Sequence, residues 1–528
     1  MKAQIQIKTL LLGLLLCLGI SCDPDLVDED PLGPTEATFF NNADEFRSVL
    51  VGAYAAYFDW YHFSAPSFSF GNYPTATFLL PGDDLTIRDG IRNEVELFDG
   101  SLNPTQNRVS FIYDTCYKAI SRANVVIEKT QTLDLSGLDG ASEIARMEGE
   151  ALFLRGYAYF TLFKMFGSVP IITERILDRA GTNTPKSTAN EVVSQAIADA
   201  QAAIPSLPDS WDAVNAGRVT KNSARGLLAK ALVFRANFNG DDSADMQAAI
   251  AAFNTMTTVL VPDFIDNFNA FTENNDEAVF EFQAGIASNA NNLILHNDGP
   301  WRGVENQSVY RGFAMEPGGP GFNDASSKFF ITEKLLTAYG TDPRISVFLN
   351  SDDGNGGLIF QKYNKPDGVN ELTAFHGGSA NNQRLLRHAG IQLMVAEAEL
   401  KTGNTSGAIN HLNAVRTRAR NWGSTSGFGD GIVPANYDTG ESDPNTIMQW
   451  IMDERWIELA GEGHRWDDLK RWHASGDVDL TGWDGSVDNF STILASPVQF
   501  DVNKHLLFPI PQNELDRNTE VTENNPGY

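Results

Sequence analysis

Residues 143–167 read EIARMEGEALFLRGYAYFTLFKMFG, and their spacing decides the fold. Ile144, Met147, Ala151, Leu154, Ala158, Leu162 and Met165 recur in steps of three or four, which puts them on one face of an α-helix. Phe153, Phe160 and Phe163 fill a second face, so this helix is expected to be buried on two sides. Gly167 and Pro170 stop it.

Outward from this helix the same periodicity predicts helices over residues 42–60, 109–130, 189–204, 222–237, 244–260, 382–402, 406–420 and 444–459. Several are joined by short breaks, such as Thr402-Gly403-Asn404 and Asn239-Gly240-Asp241-Asp242, and short turns force antiparallel neighbours. Small residues at contact positions (Ala396, Ala398, Ala408) suggest tetratricopeptide-like hairpins, although no repeat of about 34 residues is visible in the sequence. Between the helices lie stretches rich in Gly, Asn, Asp and Pro with interspersed aromatics, at 64–100, 285–323, 350–380 and 421–442. Irregular segments of that length in a compact domain are usually functional or disordered, and the interleaved Trp, Tyr and Phe argue for ordered, functional loops. The expectation is a mainly α fold, in which tetratricopeptide-like hairpins carry long irregular loops that form a ligand face, within one domain spanning 37–528.

The N-terminus points outside the cytoplasm. Lys2 and Lys8 precede an apolar stretch over residues 10–20, which is shorter than the roughly 20 residues a spanning helix needs but suits a secretory signal. The stretch ends Gly19-Ile20-Ser21-Cys22, which resembles a lipobox, with Gly19 where that pattern usually has Leu. Residues 1–21 are therefore expected to be a signal peptide, with Cys22 lipidated. Residues 22–36, acidic and interrupted by proline, should form a solvated tether. Cys17 leaves with the signal, and Cys116 is left as a core residue with no disulfide partner. A net charge of −29 supplies no basic footprint, which argues against nucleic acid and mildly favours neutral glycans over acidic ones.

The order of sequence blocks resembles that of the SusD/RagB family of nutrient-uptake lipoproteins. Tyr117-Lys118-Ala119-Ile120-Ser121-Arg122-Ala123-Asn124 and Glu150-Ala151-Leu152-Phe153-Leu154-Arg155-Gly156-Tyr157 resemble two blocks of its first half. Asp453-Glu454-Arg455-Trp456-Ile457-Glu458-Leu459, then Glu462-Gly463-His464-Arg465-Trp466-Asp467-Asp468-Leu469-Lys470-Arg471, resemble its C-terminal part. Phe508-Pro509-Ile510-Pro511 and Asn525-Pro526-Gly527-Tyr528 close the chain in the same manner. The resemblance implies four tetratricopeptide-like units, a lid-like position over a SusC-like TonB-dependent transporter, and glycan capture on loops outside the repeats. It also implies a surface-exposed lipoprotein of the outer membrane, since acidic residues behind Cys22 resemble a surface-export signal.

Chemistry can be weighed residue by residue. His464 and Asp468, four apart on a helix, could be metal ligands, but no second His–carboxylate element is evident nearby and an architectural role is favoured. Glu397, Glu399, Arg416 and Arg418 read as ion pairs between the two helices of one hairpin. Asp352-Asp353-Gly354-Asn355-Gly356-Gly357 is a turn, because no Glu closes it as a calcium loop. Asp83 and Asp84 are adjacent and normally diverge, which makes them a poor pair for glycoside hydrolysis and suitable acceptors for sugar hydroxyls. Without a nucleophile elbow, phosphate loop or zinc pattern, the chain is expected to be no enzyme and to need no cofactor.

A sugar site needs aromatic rings for the C–H faces of pyranoses and polar groups for their hydroxyls. Two loop regions carry that mixture: Trp60, Tyr73, Asp83, Asp84, Arg88 and Arg92 in the first, Trp301, Arg302 and Tyr310 in the second. The family resemblance adds Tyr113, just before the Tyr-x-x-Ile block. Two other functions stay open: a secreted glycosidase on a helical scaffold, and a peptide-binding uptake or scaffold lipoprotein.

Overall fold

The computed structural model describes residues 36–57, 76–87, 94–178, 180–269, 271–283, 329–347, 349–350, 359–360, 362, 382–485 and 498–528. Helices dominate. The α-helices longer than four residues are α1 (Ala43–Ala56), α2 (Asn107–Thr132), α3 (Ala141–Phe166), α4 (Ala189–Ala203), α5 (Lys221–Phe238), α6 (Ser243–Asn254), α7 (Glu333–Tyr339), α8 (His388–Lys401), α9 (Thr405–Ser426), α10 (Pro444–Leu459), α11 (Arg465–Ser475) and α12 (Gln512–Arg517). From α2 to α6 each helix packs on its predecessor, α6 packs on α8, and α8 packs on both α9 and α10.

The starts of these helices are written locally. Thr188 caps α4 in a reciprocal box with Glu191, and Asp242 caps α6 by accepting from the Asp245 amide at 2.9 Å. Asp443 caps α10, whose first residue is Pro444, where a missing N–H costs nothing.

Helix α3 is the centre of the stack. Both faces read from the sequence are buried, Ile144, Met147, Leu154 and Leu162 on one, Phe153, Phe160 and Phe163 on the other. Gly149 and Gly156 let α4 come close. A Cβ at Gly149 would lie 3.0 Å from the Ala203 carbonyl oxygen, and one at Gly156 would lie 3.1 Å from that of Ala196.

Two helix expectations are corrected. The helix read over 244–260 ends at Asn254. Thr257, Thr258 and Val259 are β-branched and resist helical packing, and Val259 instead donates to the Asp276 carbonyl at 2.9 Å. The stretch read as helix from 382 begins as a strand, and helix starts only at His388. That strand is buried on both faces, so it shows no apolar–polar alternation.

Strands β1 (Leu85–Ile87), β3 (Phe329–Ile331), β5 (Ile359–Phe360) and β4 (Leu349–Asn350) form one antiparallel sheet in that order. Strands β2 (Ala278–Phe282) and β6 (Gln383–Arg387) form a second, which packs on α5.

A buried ionic lattice ties the strands to the helices. Glu458 on α10 accepts from Arg344 at 2.8 Å, Arg387 at 2.6 Å and Arg418 at 2.5 Å. Arg387 and Arg418 also reach Glu277, at 2.8 and 2.9 Å. Glu462 takes Arg387 at 2.7 Å and Lys362 at 2.6 Å. The predicted pairs within the α8–α9 hairpin are corrected: Glu397, Arg416 and Arg418 pair outward, and Glu399 accepts from Asn404 in the turn at 2.7 Å. Arg416 reaches Glu454 on α10 at 2.8 Å, while Glu397 holds Arg471 on α11 at 2.6 Å. Around the His–Arg–Trp–Asp–Asp block, Asp468 is clasped by Arg455 and Arg471, and Asp467 by Lys164 and Lys470. Lattices of this kind fix geometry more than they add net stability.

Candidate functional site

Two strand pairings gather the candidate loops. In the first sheet Ile87 lies opposite Phe329. Ile87 immediately precedes segment 88–93, and Phe329 immediately follows segment 284–328. In the second sheet Phe282 lies opposite Gln383, which sets the other root of 284–328 beside the return of 363–381. Helix α1 leads through Tyr57 into segment 58–75, which rejoins at the short helix Ala76–Leu79. That short helix packs on α11, next to β1.

Trp60 and Tyr73, Arg88 and Arg92, and Trp301, Arg302 and Tyr310 lie in these segments, outside the described residues, as does Cys22. The described part shows where their roots are and how those roots are braced.

Asp83 and Asp84 brace β1, and both are buried. Asp83 accepts from the Arg465 guanidinium, with Nε at 2.6 Å, and Arg465 in turn lies 4.3 Å over the Trp456 ring. Asp84 accepts from the Gly461 amide at 2.9 Å. Burial, with the Asp83 charge beside it, pushes the Asp84 carboxyl up to about 6. Their backbone carbonyls are held too: the Thr332 hydroxyl donates to that of Asp83 at 2.6 Å and its amide to that of Asp84 at 3.1 Å. The two side chains are thus turned inward, as fasteners of a corner. Tyr113 on α2 is also buried, packed against Tyr117 at 4.8 Å and edge-on to Phe166 at 5.1 Å, and no face of its ring is open.

A polar floor lies under the second pair of roots, and sequence reasoning did not single it out. Asn382 donates through its amide to Glu273 at 2.5 Å, and through its side chain to Glu281 at 2.9 Å and Gln283 at 3.1 Å. Arg384 faces Glu281 at 3.4 Å. Burial pushes the Glu273 carboxyl up to about 7. The floor draws on residues about a hundred positions apart, which no local pattern joins. Among the described residues no cluster of metal-ligating side chains occurs, and no helix is long and apolar enough to cross a membrane.

Comparison with known proteins adds to this geometry. Residues 283–528 match the SusD family, and residues 83–232 match a family described as starch-binding and associating with the outer membrane. A SusD-like protein P2 of Formosa agariphila is 27% identical over the whole of both chains. Among solved structures, a laminarin-binding SusD-like protein matches with 23% identity and a TM-score of 0.69, over 93% of this chain and 100% of that one. Surface glycan-binding protein A from Bacteroides uniformis matches with 20% identity and a TM-score of 0.69, over 91% of this chain and 99% of the other. At these identities the structural matches show the fold alone.

Proposed function

From the premise that the chain belongs to the SusD family, we propose that it captures oligo- or polysaccharide on its loop face and delivers it to a SusC-like TonB-dependent transporter. Its place is the outer membrane. There Cys22 carries the lipid, the acidic tether to residue 36 gives reach, and residues 37–528 form one glycan-binding domain on the cell surface. The observation that carries the reading is the pairing of Ile87 with Phe329 and of Phe282 with Gln383. These contacts set the roots of segments 88–93 and 363–381 beside those of segment 284–328, and between them the three carry Arg88, Arg92, Trp301, Arg302 and Tyr310. Trp60, Tyr73, Trp301 and Tyr310 supply ring faces, and Arg88, Arg92 and Arg302 bond hydroxyls. Asp83 and Asp84 hold the corner that ends at Ile87, immediately before segment 88–93. The protein binds its glycan without cleaving it.

Trp301 is the proposed main platform, since His296-Asn297-Asp298-Gly299-Pro300 before it is a turn-forming run. Trp301→Ala should cost about 1–3 kcal/mol of glycan affinity while the melting temperature barely moves. Affinity electrophoresis against a polysaccharide panel, followed by calorimetric titration and thermal melting of this variant, tests the reading. A sharp drop in melting temperature with no separate affinity loss would make Trp301 a packing residue. Release of reducing ends from any bound polysaccharide would instead support a glycosidase.

A further inference from the structure

The connection between α4 and α5 carries a second aromatic platform, on the helical stack rather than on the loops. The Trp211 indole is held in one pose. Its Nε1 donates to the Val219 carbonyl at 2.9 Å. The Arg218 guanidinium lies 3.9 Å over the ring centroid and is itself anchored on buried Glu150 at 2.5 Å. Glu150 also takes the Tyr54 hydroxyl at 2.5 Å, and that hydroxyl accepts from the Val219 amide at 3.0 Å. The pose is thus tied into α1 and α3.

Trp211 lines two cavities. Arg218, which covers one face of the ring, lines the smaller, of about 280 Å³. The larger, of about 760 Å³, is lined by Trp211 but not by Arg218. Its far wall is α1 and α3, which contribute Arg47, Ser142 and Arg146. Arg47 is committed to Glu143 at 2.6 Å. Arg146 is exposed and has no ion-pair partner among the described residues. Ser142 and Ser210 add hydroxyls at the edge.

The size is that of a small-molecule site. A fixed indole, a free planar donor fork and flanking hydroxyls suit a ring with an apolar face and a polar rim. No lining residue belongs to a strand, so an extended peptide finds no edge to pair with. We propose that this cleft is a second carbohydrate subsite, which stacks one pyranose ring on Trp211 and grips its hydroxyls or carboxylate with Arg146. The chemistry of this cleft is independent of the loop face.

The test uses the intact lipoprotein in detergent, labelled with 5-fluorotryptophan. The Trp211 resonance is assigned by its loss in Trp211→Phe. Laminarin, soluble starch and polygalacturonate are the probes, two neutral and one acidic. The Trp211 signal is expected to shift with at least one of them, and to do so equally in a Trp301→Ala background. Arg146→Ala, at an exposed position, should weaken that shift about fivefold with an unchanged melting temperature. If polygalacturonate alone moves the signal, the ligand is an acidic sugar; if the others do, a neutral one. A Trp211 resonance that stays fixed with all three overturns the proposal, while the loop-face reading survives if other indole signals move. Arg146→Ala with full sugar response but lost co-purification of the outer-membrane barrel would also overturn it, because the cleft would then be a protein contact.

Discussion

Glu458 shows what a single residue does in this molecule. Three guanidiniums converge on a carboxylate that has no exposure to water. Burial alone would raise its pKa, but Arg418, Arg387 and Arg344 outweigh burial and hold it well below the usual carboxylate range. Its contribution to stability is therefore full above the unfolded carboxylate's pKa and is lost as pH falls through the folded one. Glu458→Gln keeps the shape and removes the charge, leaving three buried cations short of a partner. The expected cost is about 3–5 kcal/mol in a urea titration. His388 gives a second acid-sensitive point. Burial, opposed by the Glu277 charge, lowers its imidazole to about 4 from an ordinary 6.5. The unfolded chain takes up a proton first, so stability should fall as pH drops through that window. Thermal melts between pH 7 and 4 should show the decline, and His388→Gln should flatten it. The charges themselves were plain in the sequence. Which arginine meets which glutamate was not, because partners sit on helices that only the packing brings together.

At the scale of elements, α3 and α4 show how far the spacing of residues reaches. The apolar steps of three and four along α3 gave its length, its two buried faces and its stop. They did not give the crossing with α4, which depends on two missing side chains. Gly156→Val should force α4 away, since the added carbons meet the Ala196 carbonyl and Asp199, which is already fixed by Arg155 at 2.7 and 2.9 Å. A loss of about 1–3 kcal/mol is expected, read by circular-dichroism melting. Strand β6 marks the opposite limit. Its five residues are all buried and include two arginines and a glutamine, so neither alternation nor composition announces a strand. The site shows the same division. Its aromatic and arginine candidates were picked out by composition, whereas the inward turn of Asp83 and Asp84, the burial of Tyr113 and the floor around Glu273 depend on contacts distant in sequence.

For the molecule as a whole, the proposed lipid anchor and the proposed glycan face should be separable. Cys22→Ala should abolish labelling by an alkyne fatty acid and release the protein from membranes, leaving glycan affinity unchanged. Several acyl chains, at about 0.8 kcal/mol per buried methylene, hold where one would not. Undiminished labelling of the variant would place the lipid elsewhere. Mild detergent extraction should bring down a large TonB-dependent barrel with the wild-type chain. One further consequence concerns the order in which the chain is made. The end of α3 is sealed by residues that emerge last. Asn525 donates to the Phe166 carbonyl at 2.9 Å across 359 positions, the Phe508 amide donates to that of Met165 at 2.8 Å, and Leu507 packs where Gly167 has no side chain. Lys164 reaches Asp467 across 303 positions. A chain that crosses a membrane from its N-terminus delivers its central helix hundreds of residues before the partners that close over it. Helices α1, α2 and α4 can cover the faces of that helix early, but its C-terminal end stays open until the tail arrives, and contacts of such long sequence separation slow the last stage of folding.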